Sequence, residues 1–188
     1  MKPNRPDPAS LKKLLNGVSR RRSQIAESLE QERSLKAEYE AWMSNTDPTD
    51  TDRIALITPR KTQLDLHPAY RQRLARELSE HVAALAAATD EFRSALVRAF
   101  HQKLEGRTAE IAEALRAYFK GGKVHAGDTI DRAVALARQS DDCMALSSVI
   151  AEAEQIQWSD QPRDNSPERY DERLIEAATA LLALAERN

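Results

Sequence analysis

From Tyr70 to Leu104, apolar residues return every three or four positions: Tyr70, Leu74, Leu78, Val82, Leu85, Phe92, Leu96, Phe100 and Leu104. That spacing draws a single stripe down an α-helix of about 3.6 residues per turn and does not fit the alternation of a β-strand. A second stretch, Ser10 to Asn45, follows the same rule with Leu11, Leu14, Leu15, Val18, Ile25, Leu29, Tyr39 and Met43, although Glu32 and Lys36 dilute its stripe and Leu35 and Trp42 shift it. At 1.5 Å per residue, roughly 35 residues make a helix of about 52 Å. A long two-faced helix gains most of its stability from packing its apolar face. The two stretches are therefore expected to fold back on each other as a long antiparallel helical hairpin, coiled-coil-like, with Ala75, Ala88, Ala95 and Ala99 allowing close approach.

Composition agrees with an all-α chain. Charged residues make up 31% of the 188 and aromatic residues 5%, and there are 5 glycines, a balance that suits thin helical cores better than thick β-rich ones. About 70% helix is expected, against a norm of roughly one third.

The punctuation of the chain sets the rest of the organisation. Ser10, following Pro6 and Pro8, reads as the N-cap of the first helix. The segment 46–68, "TDPTDTDRIALITPRKTQLDLHP", is too long for a structureless loop and is expected to hold a turn or short helix, with the second long helix starting at Pro68. Its cluster Ile54, Leu56 and Ile57 is expected to pack under the turn, the alternative being exposure to a partner. The second long helix runs to about Lys120, with Gly106 as a place to bend. "KGGKVHAGD", Lys120 to Asp128, is the clearest break. It suggests a division into residues 1–120, a basic arm plus hairpin, and residues 121–188, a smaller C-terminal helical bundle. In the latter, Asp128 caps a helix or helix pair reaching Ile156 that Ser140, Asp141 and Asp142 divide. Ser166, Pro167 and Glu168 begin the last helix. Its apolar positions are Tyr170, Leu174, Ile175, Ala178, Leu181, Leu182 and Ala185.

Formal charge is -2 overall but uneven. Residues 1–25 hold seven Lys or Arg against Asp7, and residues 150–188 hold nine Asp or Glu against four Arg. The basic end raises the question of a polyanion grip built from Lys12, Lys13, Arg20, Arg21 and Arg22. On a helical wheel the three arginines point three ways, with Arg22 in the apolar stripe and Arg20 outward. A phosphate-tracking stripe needs basic residues repeated on one face, and Glu27 soon interrupts this one. A solvated face with one seam residue is the preferred reading, and nucleic-acid contact is the rival.

Other chemistry finds little support. His67, His81, His101 and His125 lack the pairing that helical metal sites use. Asp47, Asp50 and Asp52 lack the glycine and distal glutamate of a calcium loop. Gly121 to Val124 departs from a phosphate loop, because alanine occupies position 117 and valine follows Lys123. Cys143, the single cysteine, reads as a small buried thiol without a fixed helper. Trp42 and Trp158 are too far apart in the chain to make a base-stacking platform. No catalytic, metal or cofactor-binding residue is expected, and no cofactor.

The chain thus reads as a non-enzymatic helical protein-protein interaction or assembly module, forming a homo-oligomer or meeting another protein. Its alternative is a nucleic-acid-binding accessory protein using the basic N-terminal end. The absence of an apolar leader in "MKPNRPDPAS", the lone cysteine and the lack of a membrane-spanning stretch point to a cytoplasmic location.

Overall fold

The computed structural model describes residues 7–45, 51–119, 126–158 and 167–187, and these are helical almost throughout. In order they form α1 (Pro8–Ser44), α2 (Thr51–Phe119), α3 (Ala126–Arg138), α4 (Asp141–Gln155) and α5 (Pro167–Glu186). The fold is all-α, with a helical hairpin and smaller helices packed on α2. The chain separates into two compact units, a hairpin unit of residues 12–85 and a C-terminal unit drawn from residues 1–11 and 86–188. That division falls inside α2. The glycine-rich boundary expected at 120–121 lies outside the described residues.

Helix α1 begins two residues before the expected cap. Asp7, not Ser10, closes its N-terminus, accepting from the Ala9 amide at 3.0 Å and the Ser10 hydroxyl at 2.7 Å. Pro8 takes the first helical position, where its missing N–H costs nothing. The Ser10 hydroxyl and then the Ala9 amide hold the Asp7 carboxyl below its usual value. At the other end the Asn45 side chain donates to Ala41 O at 2.9 Å, one of the last four carbonyls of the helix, and the Ser44 hydroxyl donates to Glu40 O at 2.8 Å.

Helix α2 starts at Thr51, not at Pro68, and runs continuously through Pro59, Pro68 and Gly106. Each interior proline removes an amide donor, a penalty of about 3 kcal/mol on general grounds. Both prolines are exposed. Around Pro59 the side chains take up carbonyls: Thr58 Oγ1 donates to Ile54 O at 3.0 Å, Arg60 Nη1 to Leu56 O at 3.3 Å and Thr62 Oγ1 to Thr58 O at 3.0 Å.

In the hairpin unit α1 and α2 run antiparallel, as the cross-helix pairs Arg21–Glu77, Ser28–His67, Glu32–Arg71 and Glu38–Arg60 show. The seam on α1 is Val18, Arg21, Ile25, Ser28, Glu32, Leu35, Tyr39 and Trp42, all wholly or partly buried at alternating steps of four and three. The expected stripe was rotated from this one. Leu29 and Met43 are exposed, and Ser28, only 2% exposed, fills the position beside Leu29. On α2 the matching series is Ile57, Arg60, Leu64, His67, Arg71, Leu74, Leu78, His81 and Leu85. Tyr70, expected in the seam, is exposed.

Gly17 shows how close the helices come. A Cβ added there would meet His81 Cδ2 at 2.9 Å, while His81 Nδ1 lies 2.7 Å from Glu77 O and is held by that hydrogen bond. Around Gly106 nothing lies within 4 Å of such a Cβ. The two Gly→Ala substitutions should therefore differ in sign. Gly106→Ala should stabilise by about 0.5–1 kcal/mol through backbone entropy. Gly17→Ala should destabilise by about 1 kcal/mol, because overpacking outweighs that gain. Urea denaturation of both variants measures this, and equal shifts would contradict the close approach.

The C-terminal unit packs α3, α4, α5 and the second half of α2 around Phe92, Leu96, Phe100, Cys143, Ile150, Leu174, Leu181 and Leu184, with Leu11 of α1 also buried. Alanines carry the α2–α3 contact: Ala112, Ala133 and Ala137 are buried, flanked by Ile111, Leu115 and Val134. Ile130, Leu136 and Met144, which look like core positions in the sequence, are exposed. Ser140 divides α3 from α4 as its cap, accepting from the Cys143 amide at 3.4 Å and donating to Ala137 O at 2.7 Å. Arg107 ties α2 to α4 through Asp142 Oδ2, at 3.1 Å from Nε and 2.7 Å from Nη2, and also meets Glu110. Asp142 and then Glu110 raise the pKa of its guanidinium above the ordinary Arg value.

Candidate interaction surface

The two groups of residues singled out in the sequence have different fates. Of the basic group, Lys12, Lys13 and Arg20 are exposed, whereas Arg21 and Arg22 are partly buried. Arg21, not Arg22, is the seam arginine. Its Nε lies 2.8 Å from Glu77 Oε2, too poorly aligned for a directed hydrogen bond, and its Nη1 donates to Gln24 Oε1 at 2.9 Å. Glu77 also accepts from Arg73 Nε at 3.1 Å, so one carboxylate serves both helices. The five basic residues do not share one face. Lys2 and Arg5, which would extend such a face, lie outside the described residues.

The apolar group is split. Ile57 is buried as expected, but Ile54 and Leu56 are 43% and 55% exposed, so the expectation that all three pack under the turn fails for two. The reason is the continuous helix: successive residues point about 100° apart, so only Ile57 meets α1. Two further apolar side chains on α2 stand exposed, Leu66 at 61% and Tyr70 at 44%. Spaced by four, they occupy one face. They border a groove of about 620 Å³ whose opposite wall is Gln31, Ser34, Leu35 and Glu38 of α1 and whose floor includes His67. Apolar spacing alone does not disclose this pair, because it places Tyr70 in the seam and Leu66 in the connecting segment.

Polar contacts hold the groove floor in place. Ser28 Oγ and His67 Nδ1 are 3.1 Å apart and close a hydrogen bond. Towards the connecting end Arg60 lies over the Trp42 ring, 4.8 Å from its centroid, with its Nε 3.8 Å from Glu38. Among the described residues, no group of three His, Cys, Asp or Glu side chains could hold a metal ion, and no helix is long and apolar enough to cross a membrane. Asp47, Asp50, His125 and Gly121 to Val124 lie outside the described residues.

No protein-family model, curated protein or solved structure matches this chain.

Proposed function

We propose that this chain is a non-enzymatic helical interaction module that binds a protein partner through the hairpin unit. One observation carries the reading: Leu66 and Tyr70, one turn apart on α2, present apolar surface at the border of an open groove, and Ile54 and Leu56 stand exposed on the same helix, all four within about five turns. Isolated exposed apolar residues are ordinary, but a pair one turn apart at the border of a groove has the makings of a docking face. The partner is a second copy of the chain or another protein with an apolar helix. The nucleic-acid alternative is less well supported, because Arg21 spends its charge on Glu77 within the hairpin.

The test places a photo-crosslinking amino acid at Leu66 or Leu56 and, as a control, at Arg33, which is exposed on α1. Adducts of one defined mass at 66 and 56 but not at 33 are expected, and Tyr70→Asp should abolish them without lowering the melting temperature. Equal labelling at all three positions, or none at any concentration, would sink the reading.

A further inference from the structure

The groove of the hairpin unit has one wall from each helix, and the residues on those walls belong to two longer rows, because alternating steps of four and three keep a row on one face of a helix. On α1 the row is Arg20, Gln24, Glu27, Gln31, Ser34 and Glu38, and on α2 it is Pro59, Gln63, Leu66, Tyr70, Arg73 and Glu77. Gln24 and Glu77 are partly buried and the other ten are exposed. The contacts Arg21–Glu77 and Glu38–Arg60 fix which members of the two rows stand level. Arg20 is level with Glu77, Glu27 with the turn from Tyr70 to Arg73, and Gln31 and Ser34 with Leu66. Like charges meet at none of these levels, and opposite charges meet at two. Within one hairpin that match goes unused: among the described residues no hydrogen bond or ion pair joins one row to the other, Arg20 and Glu27 make no ion pair, and Arg73 donates to Glu77 of its own helix at 3.1 Å.

We propose that a second copy of the chain covers this groove, hairpin face against hairpin face, about a two-fold axis parallel to the helices; this names the occupant of the docking face proposed above and rests on that reading. Such an axis lays α1 of each copy along α2 of the other, antiparallel as within the hairpin, and completes a four-helix arrangement. It permits no sliding along its own direction, so the rows meet at the hairpin's own register. Glu27 then faces Arg73 of the second copy, Arg20 faces its Glu77, and Leu66 and Tyr70 close over its Gln31, Ser34 and half-buried Leu35, with every contact made twice. Glu77 is already flanked by Arg21 and Arg73, so Glu27–Arg73 is the pair that decides. Turning the second copy end for end, about an axis across the helices, also brings Leu66 to Tyr70 but leaves Glu27 opposite Ser34 and Arg73 opposite Gln63, with no charge matched. The polar Gln31 and Ser34 limit the apolar surface covered, which makes the dimer a weak one, roughly micromolar.

Sedimentation equilibrium of the full chain over a range of concentrations reads the dimer constant. Glu27→Arg and Arg73→Glu should each weaken self-association about tenfold, since each sets like charges together at two places. An equimolar mixture of the two variants should dimerise about as well as the parent, because in the mixed pair both contacts regain opposite charges. A role for either residue within its own hairpin cannot give that rescue. Both positions are exposed, and circular dichroism of each variant at a concentration where the parent is monomeric checks that it folds. Leu66→Asp should abolish the dimer, alone or mixed with either variant. A parent that stays monomeric throughout, or a mixture that associates no better than each variant alone, overturns the proposal. If the crosslinker at Leu66 then yields adducts with the mass of a different protein, the docking face stands and only its occupant is wrong; if it captures nothing, both readings fall.

Discussion

Reversing either charge of the Glu32–Arg71 pair should weaken the hairpin by about 2 kcal/mol, and reversing both together should restore most of the loss. The two side chains are in contact across α1 and α2 and are only 25% and 23% exposed. Exposed pairs contribute at most about 1 kcal/mol, while removing one partner of a fully buried pair costs about 3–5 kcal/mol. A site a quarter exposed belongs between these limits. In Glu32→Arg two guanidinium groups face each other in the seam, and in Arg71→Glu two carboxylates do. The double variant rebuilds an opposite-charge contact with the donors exchanged. Its coupling energy, read from denaturant midpoints of the four proteins in a double-mutant cycle, should be clearly favourable. Additive losses would mean that the pair does not exist in solution. The same logic extends along the seam, where Arg21 meets Glu77 and Ser28 meets His67. Sliding one helix by a turn would place unlike neighbours against each of these groups, so the polar matches select the register while the apolar residues supply most of the adhesion.

That division of labour explains what could and could not be read from the sequence. The long second helix is legible because Leu74, Leu85, Phe92 and Leu96 repeat at helical spacing, and spacing survives without tertiary knowledge. So were the Ser140 break and the start of α5 at Pro167, since caps and prolines act locally. The rotation of the α1 seam onto Arg21, Ser28 and Glu32 was hidden, because counting apolar residues passes over polar ones whose partners lie on the other helix. Allowing polar residues into an unbroken alternation of three and four from Leu11 to Trp42 would have found it. The sequence pattern starts α2 too late, at Pro68, because Pro59 and Pro68 normally mark helix ends, and here the helix runs through both with their rings exposed. The α2–α3 contact was hidden for another reason: Ala112, Ala133 and Ala137 carry too little side chain to stand out, yet being small is what lets those helices meet.

Trp158→Ala should cost about 3–5 kcal/mol in the C-terminal unit. Trp158 is the last described residue before the stretch leading to α5, and it is 5% exposed. The Arg93 guanidinium lies over its ring, 5.2 Å from the centroid, while Arg93 Nη1 donates to Ile156 O at 3.1 Å and Nη2 to Asp90 Oδ1 at 3.2 Å. The arginine of α2 thus holds the chain just beyond α4 twice, through the Ile156 carbonyl that the helix end leaves open and through the indole face. Removing the ring opens a cavity and takes away the surface that orients Arg93. Trp158→Phe keeps most of the volume and a π face, so it should lose much less, about 1 kcal/mol. Arg93→Ala should fall between them, because the Ile156 carbonyl loses a charged donor and gains only water. Thermal unfolding followed by circular dichroism ranks the three. If Trp158→Ala proved no worse than Trp158→Phe, the residue would not be filling the core, and its contact with Arg93 would be a surface contact only.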